Sequence, residues 1–193
     1  MKAIILGGTF DPVHIGHLHL ADLAAHRFGA GEVIFIPSFV SPHKEGRRTE
    51  PAEHRIAMLE IALKGTPWRV DTCEIRRGGT SYTIDSVREL RESCGWSEPP
   101  GLLLGDDLSA GFSRWKEPEA LSREARLILA SRLETSGGTF PYPHERLNNR
   151  ILNVSSTEVR RALREGDAVR YLLPPGVWEY IRREGLYGFR DQD

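Results

Sequence analysis

Cysteine is scarce in this 193-residue chain, with Cys73 and Cys94 alone. The pair forms neither a C-x-x-C motif nor part of a ligand cluster, so a structural zinc is excluded and a reduced compartment fits. Net charge is also nearly absent, at −1. That leaves no general attraction to nucleic acid or to an anionic membrane, and no nucleic-acid partner is expected. No positively charged leader precedes an apolar stretch, because strand-like residues begin at Lys2, and no apolar run approaches membrane-spanning length. The expectation is a cytoplasmic protein with no membrane partner. Internal repeats and low-complexity tracts are missing too. What remains is ordinary: 39% hydrophobic and 27% charged residues, in a length that suits one domain with an ample core.

Apolar runs recur with helical segments between them, the pattern of an α/β fold in which helices wrap a parallel sheet. Strands are expected at residues 2–7, 32–37, 69–74, 102–105, 126–130 and 151–154. Ile15, Leu18, Ala21, Ala25 and Phe28 keep helical spacing, and Gly29 is a suitable stop. A second helix starts near Pro51, placed for a first helical position, and should bury Ile56, Leu59 and Leu63. A third runs from Thr83 through Ile84, Val87 and Leu90 to Cys94, closed by Gly95. Beyond residue 154 the pattern changes. Ser155 to Arg164 reads as a short helix, Pro174-Pro175 as a break, and Val177 to Arg183 as another helix before Gly185. The organisation expected is one domain over 1–193, with a core over 1–154 and a small C-terminal helical appendage over 155–193.

The richest stretch is Gly7-Gly8-Thr9-Phe10-Asp11-Pro12-Val13-His14-Ile15-Gly16-His17, directly after Ala3-Ile4-Ile5-Leu6. It reads as strand, glycine turn and helix start. Glycines let backbone amides approach phosphate without a Cβ in the way, and a helix start turns unpaired N–H groups and a positive dipole end to the same place. His14 and His17, three residues apart, would share a helix face and add two imidazoles to that anion site. The duller account is a buried histidine pair that only caps the helix.

A second stretch, Val154-Ser155-Ser156-Thr157-Glu158-Val159-Arg160, again puts hydroxyls and amides at a helix start, with a guanidinium one turn later that is able to bridge phosphate oxygens. Its ligand-free alternative is a capping box, Ser155 with Glu158.

Gly7 to His17 resembles the G-G-x-F-D-P-x-H-x-G-H signature of the nucleotidyltransferase superfamily, and Ser155 to Arg160 resembles its S-x-T-x-x-R partner. Pro42-His43-Lys44, Glu53-His54-Arg55, Gly79-Thr80-Ser81-Tyr82-Thr83-Ile84-Asp85-Ser86 and Gly105-Asp106-Asp107 followed by Trp115 are similar to the bacterial nicotinate-nucleotide adenylyltransferases. The C-terminal stretch Leu173-Pro174 through Tyr180-Ile181 to Leu186-Tyr187 extends this likeness over nearly the whole chain.

The resemblance implies a Rossmann-like doubly wound parallel sheet. It also implies transfer of AMP from ATP to nicotinate mononucleotide by direct attack on the α-phosphorus, with pyrophosphate released in a step of NAD biosynthesis. No nucleophile with a poised base points to a covalent intermediate. His14, His17 and Arg160 are the implied catalytic residues. Gly7, Gly8, Thr9, Phe10, Gly105, Asp107, Ser155, Ser156 and Thr157 join them around ATP. Mg2+ is expected to arrive with ATP, since the sequence offers no carboxylate cage of its own.

For the mononucleotide, the amides near Tyr82 and Thr83 would receive the carboxylate that distinguishes nicotinate from nicotinamide, Trp115 would stack on the pyridine ring, and Lys44 would meet the phosphate. Each has a plainer alternative: a serine or threonine cap at the helix start, a core tryptophan, and a solvated charge cluster with Arg47 and Arg48. Two departures stand out. Asp106 replaces a usually uncharged residue, adding negative charge near a polyanion. Arg132 is followed by Leu133 and Glu134 where the family often has Arg-Pro-Gly. His14-Ile15-Gly16-His17 is also shared with class I aminoacyl-tRNA synthetases, but their lysine-rich loop and tRNA domains are missing. The G-x-G-x-x-G spacing of dinucleotide oxidoreductases is missing as well. Other readings are nicotinamide mononucleotide or phosphopantetheine adenylyltransferase, and a nucleotide-binding module without turnover.

Overall fold

The described residues hold six strands, most of them separated by helices: β1 (Ala3–Gly8), β2 (Glu32–Pro37), β3 (Arg69–Val70), β4 (Gly101–Gly105), β5 (Arg126–Ala130) and β6 (His144–Arg146). The computed structural model describes residues 1–40, 49–131 and 140–189. All strand pairings are parallel, in the order β3-β2-β1-β4-β5-β6. From β1 the chain winds outward through β2 and β3, then returns to β4 on the other side of β1 and continues to β6. The connections after β1 and β4 therefore diverge, and a crevice opens at their carboxyl ends.

Strand side chains alternate between two cores, as the period of two requires. Ile4, Leu6, Val33, Phe35 and Leu103 pack with Ala21 and Ala24 of α1 (Ile15–Phe28) and Met58, Leu59 and Leu63 of α2 (Ala52–Leu63). Ala3, Ile5, Ile34, Ile36, Leu102 and Leu104 pack with Cys73 of α3 (Cys73–Arg77), Ile84, Val87 and Leu90 of α4 (Thr83–Ser93), and Leu121 of α5 (Pro118–Glu124). The C-terminal helices α6 (Ser156–Glu165) and α7 (Pro175–Glu184) bury Val159, Leu163, Val177 and Ile181 in the first core. Gly29 closes α1 in the left-handed conformation, φ 60°, as its position suggested.

Four expectations need correction. The strand expected over 69–74 ends at Val70, because Asp71 Oδ1 accepts from the Cys73 amide at 2.9 Å and turns the chain into α3. The apolar run 151–154 is not a strand. Asn149 takes up both the N–H and the C=O of Ser131 at 2.8 Å each, occupying the groups at the end of β5 that a paired strand would use, and the sixth strand forms earlier, at His144. Pro51 is the residue before the first turn of α2 rather than inside it. The buried stripe of α2 runs through Arg55, Met58, Leu59 and Leu63, leaving Ile56 only half-buried. Helices α3 and α5 were not anticipated.

Candidate active site

A cavity of about 380 Å³ fills the crevice over the ends of β1 and β4. Gly7, Gly8, Thr9, Phe10, His14, His17, Tyr82, Thr83, Gly105, Asp107, Trp115, Ser155, Ser156, Thr157 and Arg160 all line it. Lys44, Arg47, Arg48 and Arg132 lie outside the described residues.

The first wall is the turn between β1 and α1. His14 is not helical: it is the N-cap, with extended backbone at φ −141° and ψ 170°. The two imidazoles still meet, face to face, with centroids 3.7 Å apart and planes inclined by 30°. The His14 N–H donates to His17 Nδ1 at 3.2 Å. That bond makes Nδ1 an acceptor, so a neutral His17 carries its proton on Nε2. Phe10 packs edge-on against His17 with centroids 5.0 Å apart, which fixes the ring from a second side. Gly16 is required by proximity. A Cβ there would come within 2.9 Å of Val154 Cγ1 and 3.0 Å of His14 Nδ1.

Val154 leads into the second wall, and the two motifs are stitched together. Ser156 Oγ donates to the Pro12 carbonyl at 2.9 Å, and Arg160 Nη1 donates to the Asp11 carbonyl. Ser155 Oγ accepts from the Glu158 N–H at 3.2 Å and donates to Glu158 Oε2 at 2.7 Å. This is the serine cap of the ligand-free alternative, with Glu158 bonded to the Ser155 hydroxyl instead of its backbone N–H, so the hydroxyl protons of Ser155 and Ser156 are already committed. What the opening of α6 offers the cavity is its first-turn amides, which have no carbonyl within the helix to pair with, together with the Arg160 guanidinium.

Three further residues were given no role by the sequence, although Asp11 and Arg55 lie within quoted motifs. Arg55 is only 2% exposed, and its guanidinium donates to the Thr9 carbonyl at 2.8 Å and the Glu50 carbonyl at 3.1 Å, bracing the glycine turn from below. The available signal was an arginine on the apolar stripe of α2. Asp11 is buried and accepts from the Tyr187 hydroxyl at 2.9 Å. Glu74, on α3, lines the cavity and accepts from Ser86 Oγ at 2.7 Å. Burial pushes the Glu74 carboxyl above the ordinary carboxylate range, against its hydrogen bonds from Ser86 and Ser81.

The third wall is the start of α4. Tyr82 precedes it with extended backbone and no side-chain cap. Ser81 ties this point to the segment after β2, accepting from the Phe39 N–H and donating its own N–H to the Val40 carbonyl, each at 2.9 Å. Trp115 is half-buried and packs on Phe112 with ring centroids 5.0 Å apart. Three ion pairs hold its loop and the following α5 against α4: Lys116 with Asp85, Arg88 with Glu117 and Arg88 with Glu124, each at 2.8 Å. Asp106 is 5% exposed, and of these two neighbouring aspartates it is Asp107 that lines the cavity. Among the described residues no group of three His, Cys, Asp or Glu side chains could hold a metal ion. Among them too, no helix is long and apolar enough to cross a membrane.

The family model described as cytidylyltransferase-like matches residues 5–162. A protein of Treponema pallidum named "Probable nicotinate-nucleotide adenylyltransferase" is 38% identical, over 97% of this chain and 99% of its own length. A protein of Thermomicrobium roseum with the same name is 36% identical, over 95% and 90%. Among solved structures, the nicotinic acid mononucleotide adenylyltransferase of Plasmodium falciparum complexed with NaAD superposes with a TM-score of 0.80 at 21% identity, covering 98% of this chain and 99% of that one. At that identity the likeness is one of fold.

Proposed function

The chain belongs to the cytidylyltransferase-like family, and on that premise we propose that it is a nicotinate-nucleotide adenylyltransferase. It transfers the AMP of ATP to nicotinate mononucleotide, giving nicotinate adenine dinucleotide in NAD biosynthesis. An oxygen of the mononucleotide 5′-phosphate attacks the α-phosphorus, a new P–O bond forms, and the bond to the bridging oxygen breaks, with pyrophosphate leaving on that electron pair. Such a displacement asks the protein for alignment and for charge stabilisation. His17, with its proton on Nε2, donates to the triphosphate where negative charge develops, and His14 stacks beside it. Arg160 and the amides at the start of α6, from its cap Ser155 through Ser156 and Thr157, hold the β and γ phosphates. Gly7, Gly8, Thr9 and Phe10 line the path of the triphosphate, and Gly105 and Asp107 hold the adenosine. Magnesium would enter with ATP and would help neutralise the phosphate charge.

The uncapped start of α4 receives the nicotinate carboxylate on the amides near Tyr82 and Thr83, Trp115 covers the pyridine ring, and Lys44 meets the mononucleotide phosphate. Both reactants are small nucleotides, and the setting is cytoplasmic. The observation that carries the reading is that His17 and Arg160, from motifs far apart in sequence, line one cavity and are joined through Arg160 to the Asp11 carbonyl. The test is pyrophosphate release with ATP and, separately, nicotinate mononucleotide, nicotinamide mononucleotide and phosphopantetheine. Release with the first acceptor well above the other two is expected; preference for either of the others would replace the reading.

A further inference from the structure

Tyr187 follows Asp11 by 176 positions, yet its hydroxyl donates to Asp11 Oδ1 at 2.9 Å in the interior. Its backbone sits at φ 61° and ψ 17°, a left-handed conformation that a bulky residue keeps only where its surroundings impose it. Part of that imposition is visible: the Tyr187 N–H donates to Glu50 Oε1 at 3.3 Å. Asp11 itself is 2% exposed, and a buried carboxylate needs donors. The Glu50 N–H supplies a second one, at 3.3 Å. The other carboxylate oxygen, Oδ2, stands 3.6 Å from Arg160 Nη1, the same nitrogen that donates to the Asp11 carbonyl. Burial, and then the charge of Asp11, push the Tyr187 phenol up, so it stays protonated and keeps donating at any working pH.

We propose that Tyr187 is a positioning residue for ATP: by fixing the Asp11 carboxylate, its hydroxyl fixes the pose in which the Arg160 guanidinium faces the cavity. A tyrosine serving only to fill the core would need the ring, which Tyr187→Phe keeps; the proposal assigns the effect to the hydroxyl. The inference rests on the proposed role of Arg160 at the β and γ phosphates, and the experiment separates the two.

Steady-state rates are measured for Tyr187→Phe, Asp11→Asn, Arg160→Ala and the control Tyr180→Phe. The Tyr180 hydroxyl is hydrogen-bonded to His54 Nδ1 at 2.9 Å, away from the cavity. Loss of one hydrogen bond to a charged group predicts that Tyr187→Phe raises KM for ATP roughly 5- to 30-fold. KM for the mononucleotide should stay within about twofold, since the effect runs only through the phosphate site. Tyr180→Phe should leave both KM values unchanged. In the Arg160→Ala background, Tyr187→Phe should add nothing. If Arg160→Ala leaves KM for ATP unchanged, the reading of Arg160 fails. If Arg160→Ala raises it while Tyr187→Phe does not, or if Tyr187→Phe raises both KM values alike, the positioning role is overturned. Should Tyr187→Phe not fold, Asp11→Asn decides in the same assay, an unchanged KM for ATP refuting the proposal.

Discussion

The imidazoles of His14 and His17 stack with centroids 3.7 Å apart although only His17 belongs to the helix. Spacing alone would have put both on α1. Instead His14 ends the turn, lends its N–H to His17 Nδ1, and leaves Nε2 of His17 as the proton-bearing edge.

If that edge faces the triphosphate as proposed, His17 is the side chain to test first. His17→Ala should lower kcat by about 10²- to 10³-fold, the usual cost of removing one donor to a developing charge. The residue is half-buried, so the unfolding free energy should fall by less than about 1.5 kcal/mol. Pyrophosphate release and urea unfolding on the same preparations give both numbers, and equal rates in the two proteins would remove His17 from the mechanism.

Gly16 tests whether the closeness of the two motifs matters. In Gly16→Ala the new methyl meets Val154 and the His14 ring together. A shift of a few tenths of an ångström in either should cost about tenfold or more in kcat/KM, because a misplacement near 1 Å costs about a hundredfold. Trimming the neighbour as well, in Gly16→Ala with Val154→Ala, should return part of the rate even though Val154→Ala alone removes buried apolar surface. A double variant slower than Gly16→Ala would contradict this.

Trp115 separates the two substrates. If its ring covers the pyridine, Trp115→Ala should raise KM for the mononucleotide about tenfold, the effect of losing about 1.4 kcal/mol of stacking and apolar cover. KM for ATP should move by less than about twofold. A rise confined to ATP would transfer the tryptophan to the other half of the cavity.

Glu74 predicts a pH dependence of stability. Burial raises its carboxyl pKa above the unfolded value of 4.5. The folded state therefore binds this proton more tightly than the unfolded one, and Glu74 contributes stability that is fully present below pH 4.5 and lost as the pH rises through the raised folded pKa. Glu74→Gln has no such proton. The stability of the native chain relative to Glu74→Gln should fall as the pH rises above 4.5, as read by urea midpoints at several pH values. A gap that widens in favour of the native chain would reverse the sign and sink the argument.

Short-range chemistry was sufficient for much of this molecule. Continuous apolar runs marked β2 and β5 to the residue, helical spacing with Gly29 marked α1, and the two glycine- and hydroxyl-bearing helix starts pointed to nucleotide chemistry, because a run of neighbours carries its own periodicity and capping pattern. Tertiary structure alone decided the rest. Whether 151–154 pairs as a strand or lines the cavity depends on Asn149 reaching Ser131, and whether Arg55 is a surface charge or a buried brace depends on the Thr9 carbonyl lying above it. Likewise Asp106 is buried while Asp107 lines the cavity, and Tyr187 reaches Asp11 across 176 positions. A hydrogen bond or a buried charge is set by whichever group the fold brings within about 3 Å, and that partner leaves no periodic trace in the sequence around either end.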